Sequence, residues 1–590
     1  MKQSGKKKSI NSICACNRNK ILHIFLNITT MIKLHQAAFI FFCFLLLITC
    51  RSKTNAPSND DINAINLKRG NVILCGPPEK EFGKVSFATS CSEKTKKDFD
   101  LGMAMLHSFE YDEAEKIFAK IIDEEPACVM AYWGVAMSNY HPLWAPPTQP
   151  ELEKGAKAIA VAASLTQKTK RESDYIDAIA SFYKDWNNTD HKTRSQRFEK
   201  AMEKMYAAYP TDKDATILYA LSLTAAANPA DKTFRNQKKA YNILNTLYTG
   251  QPNHPGIVHY IIHTYDYPEL AAIALPAARK YAAIAPSSAH AQHMPSHIFT
   301  RLGLWDDCIN SNLAAASSAK CYAETAGMKG HWDEELHALD YLVYAYLQKG
   351  DNDKAKKQWD YIKTIKEVQP FNFKVAYAFA AIPARYVLEN KLWKEAAVIH
   401  VDNEKFSWQN FPWQKAMIHF SRLLGAVHTG QTENAETELK NLKNIHDTLI
   451  AQKDSYKTNQ VMIQIKTSQA WILLVKGNQN EALKLMNAAA TMEDNTEKHP
   501  VTPGEVIPAR ELLADMLMQL NKPAEALLAY EEDLKKHPNR FNGLYGAATS
   551  AAKSNNLKKA NDYYTQLLTL ANAATVNRPE METAKQYLKK

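Results

Sequence analysis

The chain has 590 residues, with 72 Lys or Arg against 62 Asp or Glu and a formal net charge of +10. Seven of the basic residues and no acidic one lie in residues 1–49, so a mature chain starting at residue 50 carries only +3. With the leader goes the case for nucleic-acid binding, which would need a basic stripe with interleaved aromatics on the mature chain. No G-x-x-x-x-G-K-[ST], strand-linked G-x-G-x-x-G, G-x-S-x-G or C-x-x-C-H occurs, which removes the usual phosphate-loop, dinucleotide, serine-hydrolase and haem-attachment signatures.

Residues 1–49 read as a signal peptide. The twelve apolar residues Ala37–Ile48 are too few to span a bilayer, at ~20 per helix, but suit the core of a secretory leader. The run closes on Leu47-Ile48-Thr49-Cys50, which resembles a bacterial lipobox with Cys50 as the lipid attachment point; Thr49 departs from the usual Gly, Ala or Ser. Met31-Ile32-Lys33 would begin a more compact leader, making Met31 a plausible true start. Residues 50–80 follow as a flexible tether, with 51–70 expected to be disordered. Arg51, rather than an aspartate, after the cysteine favours the outer membrane, facing the periplasm. Of the later cysteines, Cys75 and Cys91 are expected to pair; Cys128, Cys308 and Cys321 fall on helices, with Cys308 as a small buried hydrophobe.

From about residue 95 onward the apolar pattern is helical almost without interruption, and nothing alternates long enough for a sheet. Counting Thr95 as position 1, Leu101 and Gly102 fall at 7 and 8, Ala114 at 20, Phe118 at 24 and Pro126 at 32. That register resembles a tetratricopeptide repeat (TPR). It recurs with Ala240, Leu244 and Pro252, with Ala274, Ala278 and Pro286, with Ala526, Tyr530 and Pro538, and with Ala560 and Tyr564. Small residues let paired helices approach to ~8–10 Å, and the proline stops the second helix. The fold expected is all-α, a right-handed solenoid of antiparallel helix pairs. Residues 81–370 form its N-terminal part and 371–590 its C-terminal part, with a soft boundary at the insertion QPFNF.

Two histidine pairs, His259/His263 and His293/His297, are separated by 34 residues, one repeat length, and each is an H-x-x-x-H. On a helix both rings of a pair share one face. Groove-facing register positions are occupied by His259, His263 and Asp266 in one repeat, by His290, His293 and His297 in the next, and by His337 and Asp340 in a third. His141 and His331 are expected nearby. The metal reading takes His259, His263, His293 and His297 as ligands, zinc first and copper or iron as alternatives, with Asp266, His337 or Asp340 completing the shell. A groove formed by His290, Asp266, Tyr265, Arg301, His337 and Asp340 would instead hold a polar ligand such as a peptide carboxylate. A third reading is a purely structural hydrogen-bonded network. Tyr260 and Met294 stand where H-E-x-x-H needs glutamate, so any enzyme here would depend on the metal alone. Pro295, between two of the histidines, either kinks its helix or starts it. Trp133, Tyr140, Trp144, Trp305 and Trp332 read as packing or groove walls.

The stretches VSFATSC, MLHSFEYDEA, AYWGVAMSNYHPLWAPP, HMPSHIFTRLGLWD, HALDYLVYAYLQ and VTPGEVIPARELL resemble a group of exported bacterial tetratricopeptide lipoproteins of uncharacterised function, over residues 83–570. The resemblance implies a solenoid and an export route, with a cell-envelope protein or peptide as partner and a membrane reached through the lipid anchor.

Overall fold

A computed structural model describes residues 56–76, 81–143, 146–401, 406–571 and 578–589. The leader, Met31, Cys50 and Trp144 lie outside them. Helices follow one another from Lys96–His107 and Tyr111–Glu124 to Leu557–Leu570 and Pro579–Leu588, and consecutive helices pack on one another through most of the array. This is the expected all-α TPR-type solenoid. Its repeat-defining residues Ala114, Ala240, Ala274, Ala526 and Ala560 are fully buried where the helices cross. Phe118 shows why small residues recur: a Cβ on Gly102 would lie 3.0 Å from its ring, and one on Gly134 2.5 Å. The phenyl ring fills the space that two glycines leave on either side.

Several details differ from the sequence reading. The segment expected to be a disordered tether contains the helix Asn59–Ile65, capped by Ser58, with Ile62, Ile65 and Leu67 buried. Their apolar side chains, spaced for one helical face, outweigh the polar composition around them. Beyond it, residues 67–76 and 81–89 carry no helix or strand and lie on the array as a strap: the backbone N–H of Ile73 donates to Glu113 at 2.8 Å, and that of Lys84 to Asn253 at 2.9 Å. Cys75 and Cys91 do not pair with each other. Cys75 bonds to Cys321 on the helix Trp305–Thr325, and Cys91 to Cys128, which is not on a helix as expected but caps the start of Val129–Ser138. Cys308 is free and buried, as expected. A two-residue parallel pairing, His331–Trp332 with Val368–Gln369, joins the two insertions. The following helix, Phe373–Glu389, packs on both Asp333–Gln348 and Pro412–His428.

The array curves until its far repeats meet its middle. Trp305 Nε1 donates to the carbonyl of Asn539 at 2.7 Å, Asn539 Nδ2 to that of Gly303 at 3.2 Å, and Lys498 Nζ reaches Asp266 at 3.1 Å. At this junction Arg540, fully buried, pairs with Glu389 at 2.8 Å and Glu511 at 2.9 Å.

Candidate metal centre

Three stretches of helix bring the histidines together. Pro255–Thr264 starts with proline at its first position, where a missing N–H costs nothing, and buries Ile257, Val258, Ile261 and Ile262. The next, Ala289–His293, is capped by Ser288, whose Oγ accepts from the Ala291 N–H at 3.0 Å and donates to Glu110 at 2.6 Å. Pro295 then opens Pro295–Leu302, but the junction residue Met294 keeps right-handed helical angles, φ −53° and ψ −36°. The helix is interrupted without changing direction, so His293 and His297 stay one turn apart. The third, Asp333–Gln348, contributes His337 and Tyr341.

The four expected ligands do not form one site. They divide between two clusters, each completed by a third histidine from the next helix. His259, His263 and His290 form one; His293, His297 and His337 form the other; within each, one ligand atom per residue lies within 4.8 Å of the others. In the first, His259 Nε2 is 2.9 Å from His263 Nε2 and 3.1 Å from His290 Nε2. In the second, His293 and His297 face each other Nε2 to Nε2 at 3.1 Å, and the His337 ring centroid is 4.2 Å from that of His293. Two imidazole nitrogens each 2.0–2.1 Å from one ion would be about 2.9 Å apart at a right angle and about 3.3 Å apart at the tetrahedral angle. All three observed separations, 2.9, 3.1 and 3.1 Å, are of that size.

The outer ring nitrogens decide where the protons sit. His259 Nδ1 lies 2.6 Å from the His107 carbonyl, which can only accept, so this nitrogen carries the proton and Nε2 is bare. Asn312 donates Nδ2–H to the Cys308 carbonyl at 2.8 Å, which turns its Oδ1 toward His293 Nδ1 at 2.7 Å. His297 Nδ1 donates to Asp266 Oδ2 at 3.0 Å. His293 and His297 therefore confront each other with two unprotonated Nε2 lone pairs in a buried space. Outer hydrogen bonds of this kind fix ligand tautomers in metal sites.

The electrostatics keep these rings neutral, and Tyr341 Oη lies 3.4 Å from His297 Nε2. Burial drives His259 down to about 3, against the help of the His107 carbonyl. Burial, then neighbouring imidazoles, push His263, His290, His293 and His337 well below the usual histidine range. His297 is also lowered by burial, with Asp266 opposing. Burial alone would raise the Asp266 carboxyl, but Lys498, Arg301 and His297 hold it well below the usual carboxylate range. Arg301 grips it twice at 2.8 Å, Nε to Oδ1 and Nη2 to the backbone carbonyl.

Of the expected groove residues, His290 and His337 prove to be cluster members, while Asp266 and Arg301 stand behind them. Tyr265 and Asp340 do not line the clusters. Tyr265, past the helix end, stacks on Tyr241 with centroids 4.3 Å apart. Asp340 is taken by the fully buried Arg385, which also donates to the Gly504 carbonyl at 2.7 Å. His141 lies against Tyr111 and pairs with Glu151, and His331 with Glu335, rather than joining the clusters. Sequence reasoning missed Phe109, whose ring covers the first cluster with centroids 4.4 Å from His259 and 5.5 Å from His263. Its φ of 60°, uncommon for an aromatic residue, was not legible beforehand. It also missed a third cluster, His107, His254 and Asp214. There Gly256 makes room: a Cβ on it would lie 2.5 Å from His107 Nδ1, which bonds Tyr260 Oη at 2.9 Å.

Comparison with protein families and with curated proteins finds no match. Among solved structures, the chain is similar to the human IFIT1 dimer with m7Gppp-AAAA, at 11% identity over 79% of this chain and 94% of that one, with a TM-score of 0.35. It is also similar to the P58(IPK) TPR domain, at 16% identity over 64% and 99% of the two chains, with a TM-score of 0.19. Scores this low carry no argument about ligands, and the helical-repeat fold rests on the chain's own helix pairs.

Proposed function

We propose that this chain is an exported, membrane-tethered helical-repeat protein that binds transition-metal ions through its two tri-histidine clusters. The observation that carries the metal reading is the His293–His297 contact. Both rings spend their proton outward, on Asn312 and Asp266, and leave two nitrogen lone pairs 3.1 Å apart with no proton between them. Buried lone pairs so close repel unless a cation separates them. Burial disfavours a proton in that place, and imidazole suits zinc, copper or iron.

The other readings have less support. A hydrogen-bonded ladder would alternate donors with acceptors, whereas His293 and His297 meet Nε2 to Nε2 with both ring protons turned outward. A peptide carboxylate would need a free cation, but Arg301 and Lys498 are both engaged by Asp266. Export and tethering are supported by the leader, by the lipobox-like run ending at Cys50, and by two disulfides of the kind kept in oxidising compartments. A cell-envelope protein or peptide remains the partner proposed for the exposed helix faces.

Elemental analysis of chain purified without a histidine tag tests the metal reading. At least one equivalent of zinc, copper or iron is expected, falling in His293→Ala and His259→Ala variants; metal-free protein that stays empty after reconstitution refutes it. Cys50→Ala should release the protein from membranes, and persistent membrane association contradicts the lipid anchor.

A further inference from the structure

The two clusters are not independent neighbours. His290 and His293 lie one turn apart on the same five-residue helix, yet His290 joins the first cluster and His293 the second. Side chains at this spacing have Cβ atoms ~5–6 Å apart. Across the gap, the His263 ring of one cluster meets the His297 ring of the other edge to face, with centroids 6.4 Å apart. Three imidazoles per ion leave at least one coordination position unfilled on each side. Phe109 covers three rings of the first cluster, at 4.4, 5.5 and 5.6 Å, and so withholds that flank from water.

Charge narrows the occupant. All six ligands are neutral imidazoles. Asp266, the carboxylate in contact with His297, is already matched by Arg301 and Lys498. Lys374, near His290, His293 and His337, is itself paired with Asp333 at 2.8 Å and with Glu334, so these carboxylates too already have a cation. Two divalent ions here would bring uncompensated charge into a buried space, which is costly unless an anion enters with them. Monovalent ions bring half as much.

We propose that the six histidines form one dinuclear copper centre, holding either two cuprous ions or two cupric ions bridged by a small anion such as hydroxide or azide. The inference rests on the metal reading above and adds the metal, the nuclearity and the class of bridging ligand. Copper fits because imidazole is a favoured ligand and because its lower oxidation state brings half the charge of a divalent ion into the buried space. A bridge requires the two ions to lie roughly 3.5–4 Å apart, as in paired metal sites, between clusters whose His263 and His297 ring centroids are 6.4 Å apart.

The test uses the tag-free full chain, freed of metal and reconstituted with Cu(II), read by elemental analysis and by electron paramagnetic resonance. Two copper ions per chain with most of their spin signal absent are expected, because a shared bridge couples the two unpaired electrons. Added azide should alter the visible absorption. His337→Ala should retain one copper with a full-intensity signal. Two ions that both give full-intensity signals would overturn the pairing while leaving metal binding intact, and a single ion in the unaltered chain would also overturn it. No retained copper, with zinc or iron bound instead, would overturn the choice of metal; no metal of any kind would overturn the underlying reading itself. The unaltered chain alone decides among these, so the result survives a variant that fails to fold.

Discussion

Replacing Asp266 with asparagine tests the outer support of the clusters and the closure of the superhelix together. The side chain is nearly inaccessible, as are those of its partners, with 8% exposure for Asp266, 9% for Arg301 and 5% for Lys498. Asparagine keeps the shape but takes from two buried cations the carboxylate that both contact. Breaking a buried ion pair this way costs about 3–5 kcal/mol. Lys498 limits the loss: burial already lowers it to about 8, with Asp266 holding it up, so without the carboxylate it sheds its proton. Lys498→Met, which leaves Asp266 paired to Arg301 and His297, should cost less, about 1.5–3 kcal/mol for one charged hydrogen bond. The double variant should be less destabilised than the sum by about 1–3 kcal/mol, since methionine removes the buried amine that Asp266→Asn would otherwise leave to be deprotonated without its partner. Lys498 reaches across 232 positions of sequence, so amide exchange should quicken both in Pro295–Leu302 and around residues 496–505. Metal affinity should fall about 10- to 100-fold through His297. Strict additivity, or exchange unchanged in one of the two segments, would refute the account.

Three further outcomes are expected. Gly256→Ala, a change that often stabilises by ~0.4–1 kcal/mol, should here destabilise by about 1–3 kcal/mol in denaturant titration, because its methyl collides with His107 at 2.5 Å. His537 is held between Asp533 at 2.9 Å and Glu505 at 3.2 Å, which outweigh burial and raise it to about 10 from 6.5. A raised pKa stabilises fully below the unfolded value, so the stability gap between wild type and His537→Asn should be widest near pH 6.5 and close as the pH approaches 10. Cys321→Ser should cost about 2–5 kcal/mol and release the Cys75 strap, detected as faster proteolysis near residue 75.

Much of the architecture was readable in advance because a repeat places small residues at fixed intervals. Ala114, Ala240, Ala274, Ala526 and Ala560 mark helix crossings, and all are fully buried. The same register placed the histidines on facing helices, and they do converge. What it could not give was the division into two foci: that depends on the interruption at Met294 and on which ring nitrogens Asn312, Asp266 and the His107 carbonyl occupy. Phe109 and Lys498 were missed because a register describes adjacent units, whereas they arrive from elsewhere in the coil. Asp340 pairs with Arg385 instead of facing the clusters, which its groove-facing register position did not reveal. The cysteines misled for a related reason, since Cys75 finds its partner 246 positions away rather than at its sequence neighbour Cys91.

The contacts of Trp305 with Asn539 and of Lys498 with Asp266 carry an evolutionary corollary. Open arrays gain and lose units freely, since each answers only to the next. Here a duplicated or deleted unit between Asp266 and Lys498 would throw the two ends of that span out of phase, like a bracelet with a link too many. The number of coils should therefore be constrained in this part of the chain even where the individual side chains drift.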